Sequence, residues 1–453
     1  MIVVFCPRIT SRVQYVTRLV LDRLLGSKWQ LTDDPAVADA HKGPKIIYSR
    51  EAEGREGLHI PAHGFLSERG VHYFVPEVRH QKGLPLLFPV QSGREKHELD
   101  FDLFAAVFYL VSRYEEYLPH KKDSHWRFDP NASFAYRHNF LDKPVVNHYA
   151  LLLKKRLQEL YPAYGFSDPA FTFLPTYDID VAYAYRGRGI MRTLLGSIRS
   201  IFRLDFHSLF QRFRVLAGKE KDPFDTYDRQ VELYKNSGIR ALYFFLCGDY
   251  GPYDKNVPFY SGVFFSLVKK INDYARTGIH PSVASTKDES VLELEISRLV
   301  NILQQEVCCS RQHYLMVDFP STYQRLLRNN ITHDFTMGYA SQPGFRASIC
   351  TPYPFYDLET ESATPLIIVP FAVMDGTLRD YLKLTPGQAL EVIKKLLDET
   401  VQVGGMFVSL WHNDSLSGRG GWHGWDTVYE EMYRLASLKH NKNYDPLYQA
   451  QKS

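Results

Sequence analysis

Beyond residue 170 the chain alternates short apolar runs with longer helical segments, and that alternation most restricts what it can fold into. The runs at 171–176, 241–247, 278–279, 314–317, 366–373 and 405–411 have the aromatic and β-branched content of buried strands. Between them, apolar residues recur at helical spacing over 226–237, 261–275, 288–306, 321–329, 386–403 and 425–438. Strand, helix and strand in succession build parallel pairs, because a parallel partner needs a long crossover. An α/β chain with a parallel sheet or barrel is expected, and in such folds chemistry sits where the strands end.

Residues 1–165 read as a smaller α/β block. A strand over 1–6 precedes a helix over 10–25, with apolar Val13, Val16, Leu19 and Val20, and Gly26 stops it. Short strands are expected at 45–48 and 58–60. Amphipathic helices are expected over 99–118 and 148–161, each ending before a proline. The adjacent acids Glu115 and Glu116 at the end of the first are expected on a solvated face, with an inter-domain contact as the alternative. Segment 120–143 reads as a polar, aromatic loop. The Pro, Gly and Asp of 162–170 mark a linker, so the expected division is 1–165 and 166–453. Within the second block, 186–221 is rich in Arg and Lys with apolar residues at helical spacing between them. It reads as an inserted helical segment, packed on the barrel or turned to a membrane surface or a biosynthetic complex.

Bulk properties exclude several classes. A net charge of +3 on 453 residues makes no case for nucleic acid. The five cysteines, Cys6, Cys247, Cys308, Cys309 and Cys350, are odd in number and form no CxxC pair, so neither a disulfide framework nor a structural zinc motif is indicated. The first apolar run is too short for a secretion signal, and no stretch is apolar enough to span a bilayer. A reduced, cytoplasmic protein is expected.

The strand end Thr176-Tyr177-Asp178-Ile179-Asp180 delivers two carboxylates to one face, because residues i and i+2 of a strand share a side. Two close carboxylates repel, and a bound cation or a division of labour relieves them. His280 follows the strand at 278–279, as a metal ligand or acid/base group. Arg311 and His313 precede another apolar run; an arginine there suits the paired hydrogen bonds that orient a carboxylate. His412 ends the last strand, beside Trp411 as the expected wall of a sugar-sized pocket. Asp334, Arg346 and Asp375 are polar residues among apolar neighbours and complete the candidates, as substrate contacts.

Taken in order, these stretches resemble the polysaccharide deacetylase superfamily (NodB homology, carbohydrate esterase family 4). The resemblance covers roughly 170–415 and suits the subgroup in which a domain of unknown function precedes the deacetylase. It implies a distorted (β/α) barrel of NodB type after a smaller α/β domain. It also implies Asp178 as catalytic base, Asp180 and His280 as metal ligands, Arg311 as the residue that holds the base, and His412 as general acid. Three departures matter. Ile179 separates the two acids, Ala284 stands where the second ligand histidine belongs, and His313 replaces a proline. We expect His313 to supply the missing imidazole, giving Asp180, His280 and His313 around a divalent transition metal, zinc first. The implied activity is metal-dependent removal of an N-acetyl group from an amino-sugar glycan or its precursor. Hydrolysis of another amide or an O-acetyl ester is an alternative, as is a catalytically silent or metal-independent glycan-binding or assembly protein.

Overall fold

The computed structural model describes residues 1–51, 54–90, 98–168 and 170–442. Two parallel sheets organise the chain. The first joins β1 (Ile2–Phe5), β2 (Trp29–Thr32), β3 (Lys45–Ser49) and β4 (Leu58–Pro61) in the order β2-β1-β3-β4. A separate antiparallel hairpin pairs β5 (Val78–Gln81) with β6 (Leu84–Leu87). The second sheet has nine strands: β7 (Thr172–Ile179), β8 (Leu242–Phe245), β9 (Arg276–Ile279), β10 (Cys309–Ser310), β11 (His333–Asp334), β12 (Tyr353–Asp357), β13 (Ser362–Ile368), β14 (Val373–Met374) and β15 (Met406–His412). Their order is β12-β13-β11-β10-β9-β8-β7-β15-β14, parallel throughout except for β12 against β13.

The long sheet curls around an inner apolar cluster that takes Leu174 from β7, Phe244 from β8, Ile367 from β13, Met374 from β14 and Leu410 from β15. Residues 369–372 connect β13 directly to β14, so the curl brings the two ends of the strand order close together. The hydrogen-bonded ladder nevertheless has ends, at β12 and β14, and among the described residues it does not close as the expected barrel would.

Local rules account for most element boundaries. On β7 the even positions climb from Leu174 in the inner cluster through Thr176 to Asp178, while Phe173 and Tyr177 face the outer core. Pro175 precedes the first β7 residue registered with β8, Thr176, so its missing N–H costs nothing on that side. Helix Pro386–Gln402 starts with a capping box, the Thr385 hydroxyl accepting from Gln388 N while the Gln388 amide oxygen accepts from Thr385 N. Helix Glu289–Leu303 is capped by Asp288.

Three expectations are corrected. No strand forms at 314–317. Pairing falls earlier, at β10, and His313–Leu315 is a tight 3₁₀ turn with Tyr314 and Leu315 at φ of 57° and 56°. The expected strand over 366–373 is split in two, with Pro370, which has no N–H to give a ladder, in the break. The expected helix over 99–118 becomes Leu103–Val111 and Tyr114–Tyr117, broken at Arg113 with φ 54°.

That break serves a buried ion network, so Glu115 and Glu116 are not on a solvated face. Arg113 Nε donates to Glu116 Oε1 (2.7 Å) and its Nη2 to Glu115 Oε1 (2.9 Å). Arg346, from the second sheet's part of the chain, donates through Nε to Glu116 Oε1 (2.9 Å) and pairs through Nη2 with Glu116 Oε2. All four residues are buried. The apolar core also continues across this boundary, from Val16, Phe108 and Tyr149 to Ile349, Phe355 and Tyr356. Backbone joins it as well, Val146 N donating to Ser348 O and Phe345 N to Leu141 O.

Candidate metal centre and active site

The carboxyl ends of β7, β9, β10, β14 and β15 converge, and with them Asp178, Asp180, His280, Arg311, His313, Asp375 and His412. Asp178, the last inward residue of β7, accepts from Arg311 Nη1 (2.8 Å), which also donates to Thr176 Oγ1 (2.8 Å). Arg311 Nε donates to Phe335 O (3.0 Å), and its guanidinium lies over the Phe244 ring at 4.5 Å. The arginine is fully buried, so its planar fork is fixed and so is the Asp178 carboxylate it carries.

Asp180 faces three imidazoles. Its Oδ1 lies 3.1 Å from His280 Nε2, and its Oδ2 lies 3.4 Å from His313 Nε2 and 3.6 Å from His412 Nε2. Each ring is held from behind through Nδ1. His280 Nδ1 donates to Arg311 O (2.6 Å), His313 Nδ1 bonds Asp254 Oδ1 (2.8 Å), and His412 Nδ1 bonds Asp375 Oδ1 (2.8 Å). A ring fixed through Nδ1–H presents the Nε2 lone pair, which is the arrangement of ligating histidines. Backbone packing sets these positions too. A Cβ on Gly278 would meet Cys309 O at 2.7 Å, so only glycine lets β9 lie against β10 and aim His280 inward.

The donor set of Asp180, His280 and His313 fits a divalent metal. One atom from each of the three lies within 4.8 Å of the others. Asp180 Oδ1 is buried and makes no hydrogen bond, despite its short distance to His280, the state expected of an oxygen reserved for a cation. One carboxylate with two imidazoles is a zinc-type set. Ala284, at the place of the missing histidine, is exposed on a short 3₁₀ turn, whereas His313 is buried and turned in.

Electrostatics follow from this crowding. Burial pushes the Asp180 carboxyl up, but the facing imidazoles, His313 and His412 first and then His280, outweigh it and hold the group well below its usual range. Burial lowers His313, and the charges of Asp180 and Asp254 override it to about 9. His412 is likewise lowered by burial but driven well above its ordinary value by Asp375, Asp180 and Asp178.

Three expected substrate contacts lie elsewhere and one has a different part. Trp411 is fully buried on the outer side of β15, against the Tyr429 ring at 4.9 Å, because adjacent strand residues point to opposite faces. It does not wall the pocket. Arg346 is locked on Glu116. Asp334 is fully buried and accepts from Thr336 N (2.9 Å) and Oγ1 (2.8 Å); burial lifts its carboxyl to about 6. Asp375 is fully buried beneath His412, accepting also from its backbone N–H (2.8 Å), and so positions the imidazole. A groove of about 450 Å³ lies next to the site, lined by His125, Trp126, Tyr253 and Tyr314, and the Tyr314 ring packs on that of His313 at 4.5 Å. His125 stacks on Tyr314 and Arg127 Nη1 donates to Tyr314 O (2.8 Å), so residues of the expected 120–143 loop edge the site. Nothing in the sequence assigns Asp254, or the loop expected at 120–143, to the site. Asp254 lies in a Gly/Pro/Asn-rich stretch with no periodicity to announce it.

Comparison with known proteins adds the following. Residues 2–162 match a family of unknown function (DUF7033). No curated protein matches in sequence. Among solved structures, a Mycobacterium smegmatis protein described as a polysaccharide deacetylase is 15% identical, with a TM-score of 0.41 over 63% of this chain and 92% of that one. The Bacillus cereus polysaccharide deacetylase is 11% identical, with a TM-score of 0.28 over 59% of this chain and 87% of that one. A CE4 family pseudoenzyme from Bacillus anthracis is 11% identical, with a TM-score of 0.28 over 59% of this chain and 66% of that one. No helix among the described residues is long and apolar enough to cross a membrane.

Proposed function

We propose that the protein is a metal-dependent hydrolase that removes an N-acetyl group from an amino sugar, in a glycan or glycan precursor. The observation that carries this reading is the meeting of three devices at one set of strand ends: an arginine-held carboxylate, an Asp–His–His cluster, and a carboxylate-held histidine. A binding surface has no use for all three. A divalent cation in the cluster would polarise the acetyl carbonyl and acidify water. Asp178, aimed by Arg311, takes the proton of the attacking water. His412, held through Nδ1 by Asp375, gives one to the departing amine. The aromatic groove beside His313 suits sugar faces.

The ligand set is tested by metal content, measured by plasma mass spectrometry on protein purified without a histidine tag or chelator. Near-stoichiometric zinc or another divalent transition metal is expected in the wild type, and a drop of at least about tenfold in occupancy is expected in Asp180→Ala and in His313→Ala. Metal retained in full by His313→Ala would remove that residue from the set. A wild type that stays metal-free after zinc is added back would overturn the reading.

A further inference from the structure

Helices Ile190–Phe202 and Phe206–Leu216 follow β7 and pack against each other through their small and polar residues. Ser197 and Ser200 are the buried residues of the first helix. Arg212 of the second donates to Ser197 Oγ (2.9 Å) and lies so close to Gly196 that a Cβ there would meet its guanidinium at 3.0 Å. The large apolar side chains are left outside. Of the 26 exposed large apolar residues in the described chain, twelve lie between Ile190 and Leu216, from Ile190 at 82% to Phe202 at 85% and on to Phe210 at 65%. On the first helix the seven exposed ones fall, at about 100° per residue, within an arc of about 140°. That is the reverse of a helix pair stabilised in water, where such a stripe faces the core.

Charge selects what covers this face. Residues 186–221 hold nine Lys and Arg against two acids, Asp205 and Glu220; Arg186 and Lys221, at the two ends, pair with Asp225 and Asp228, which leaves the excess on the helices themselves. Arg199 and Arg203 are exposed and border one edge of the apolar arc, a position from which long stems cross apolar surface to a polar boundary. A second copy of the same face would set Arg199 and Arg203 against their own copies. We infer that the helix pair is a docking surface for an anionic lipid bilayer, lying in the headgroup region with its apolar arc among the acyl chains. The base of the pair is tied to the site independently of the reaction proposed above. Only nine residues separate Asp180 from Ile190, and Arg192 Nη1 donates to Asn256 O (3.0 Å), two residues from Asp254. Docking would hold the strand ends beside the bilayer.

The test is co-sedimentation of the full chain with vesicles of phosphatidylcholine alone and of phosphatidylcholine with phosphatidylglycerol in equal parts. Binding to the mixed vesicles is expected to be at least about tenfold tighter than to phosphatidylcholine and to weaken with salt. Leu195→Glu with Ile198→Glu is expected to abolish it, and Arg199→Glu with Arg203→Glu to erase the preference for anionic lipid. These side chains are exposed, and unchanged circular dichroism would confirm that the variants fold. A wild type that stays in solution with both vesicles overturns the inference, as do variants that bind like the wild type. Sedimentation velocity showing a dimer that the apolar variant loses, without vesicle binding, would assign the face to a second copy instead.

Discussion

Asp178→Asn is expected to lose about 10³-fold in turnover when acetate release from N-acetylglucosamine oligomers is followed, the scale of a general base's contribution. Asparagine keeps the shape of the side chain and its oxygen still accepts from Arg311, so the site should stay folded while losing the one atom able to take a proton. His412→Ala removes the proposed acid at the opposite side of Asp180, and a loss of similar size is expected. Asp375→Asn should weaken turnover less, since it loosens His412 without removing it. A fall of under tenfold in Asp178→Asn, with metal content intact, would show that the proton goes elsewhere.

The second large effect lies far from this chemistry. Glu116→Gln should destabilise the protein by about 3–5 kcal/mol in urea unfolding near neutral pH, because it leaves Arg113 and Arg346 buried with a counter-charge removed. Replacing Glu116 and Arg346 together by Leu and Met should recover much of that loss, since a well-packed apolar pair needs no charge balance. The pH dependence has a definite sign. Burial raises Glu116, but Arg346 and Arg113 outweigh it and bring the folded carboxyl to about 2, against an ordinary 4.5. Its stabilising contribution is therefore complete above the ordinary value and is lost as pH falls towards 2. Glu115 behaves oppositely: burial exceeds the pull of Arg113 and raises it, so its ionisation at higher pH costs stability. In Glu116→Gln the acid-side loss should flatten; an unchanged profile would place the responsible carboxylate elsewhere.

What could be read from the chain follows the range of the forces involved. The ends of β7 and β15 were legible because strand periodicity and apolar runs are local, and the positions of Asp178, Asp180 and His412 came with them. The same period of two sends Trp411 and His412 to opposite faces of β15, so the one pocket expected of both takes only His412. His313 was visible as a spare imidazole, yet its orientation rests on Tyr314 and Leu315 at positive φ and on Asp254 from 59 residues away. The pairing of Glu116 with Arg346 spans 230 positions, and two adjacent acids at a helix end carry no local sign of it. The break at Arg113 was hidden for the same reason: its buried partners, not its helix propensity, decide the backbone there.

The apolar core that runs without interruption from the first sheet to the second bears on how the protein comes apart. Neither sheet has a surface of its own to fall back on at that boundary, since separation would expose Phe108, Tyr149, Phe355 and Tyr356 together and strand the Glu116 network. The two halves should therefore melt in one cooperative transition, with calorimetric and van't Hoff enthalpies in agreement. Occupancy of the cluster at the strand ends of the second sheet then becomes thermodynamically linked to β1–β4, so a metal or substrate bound there protects amide hydrogens in residues it never touches.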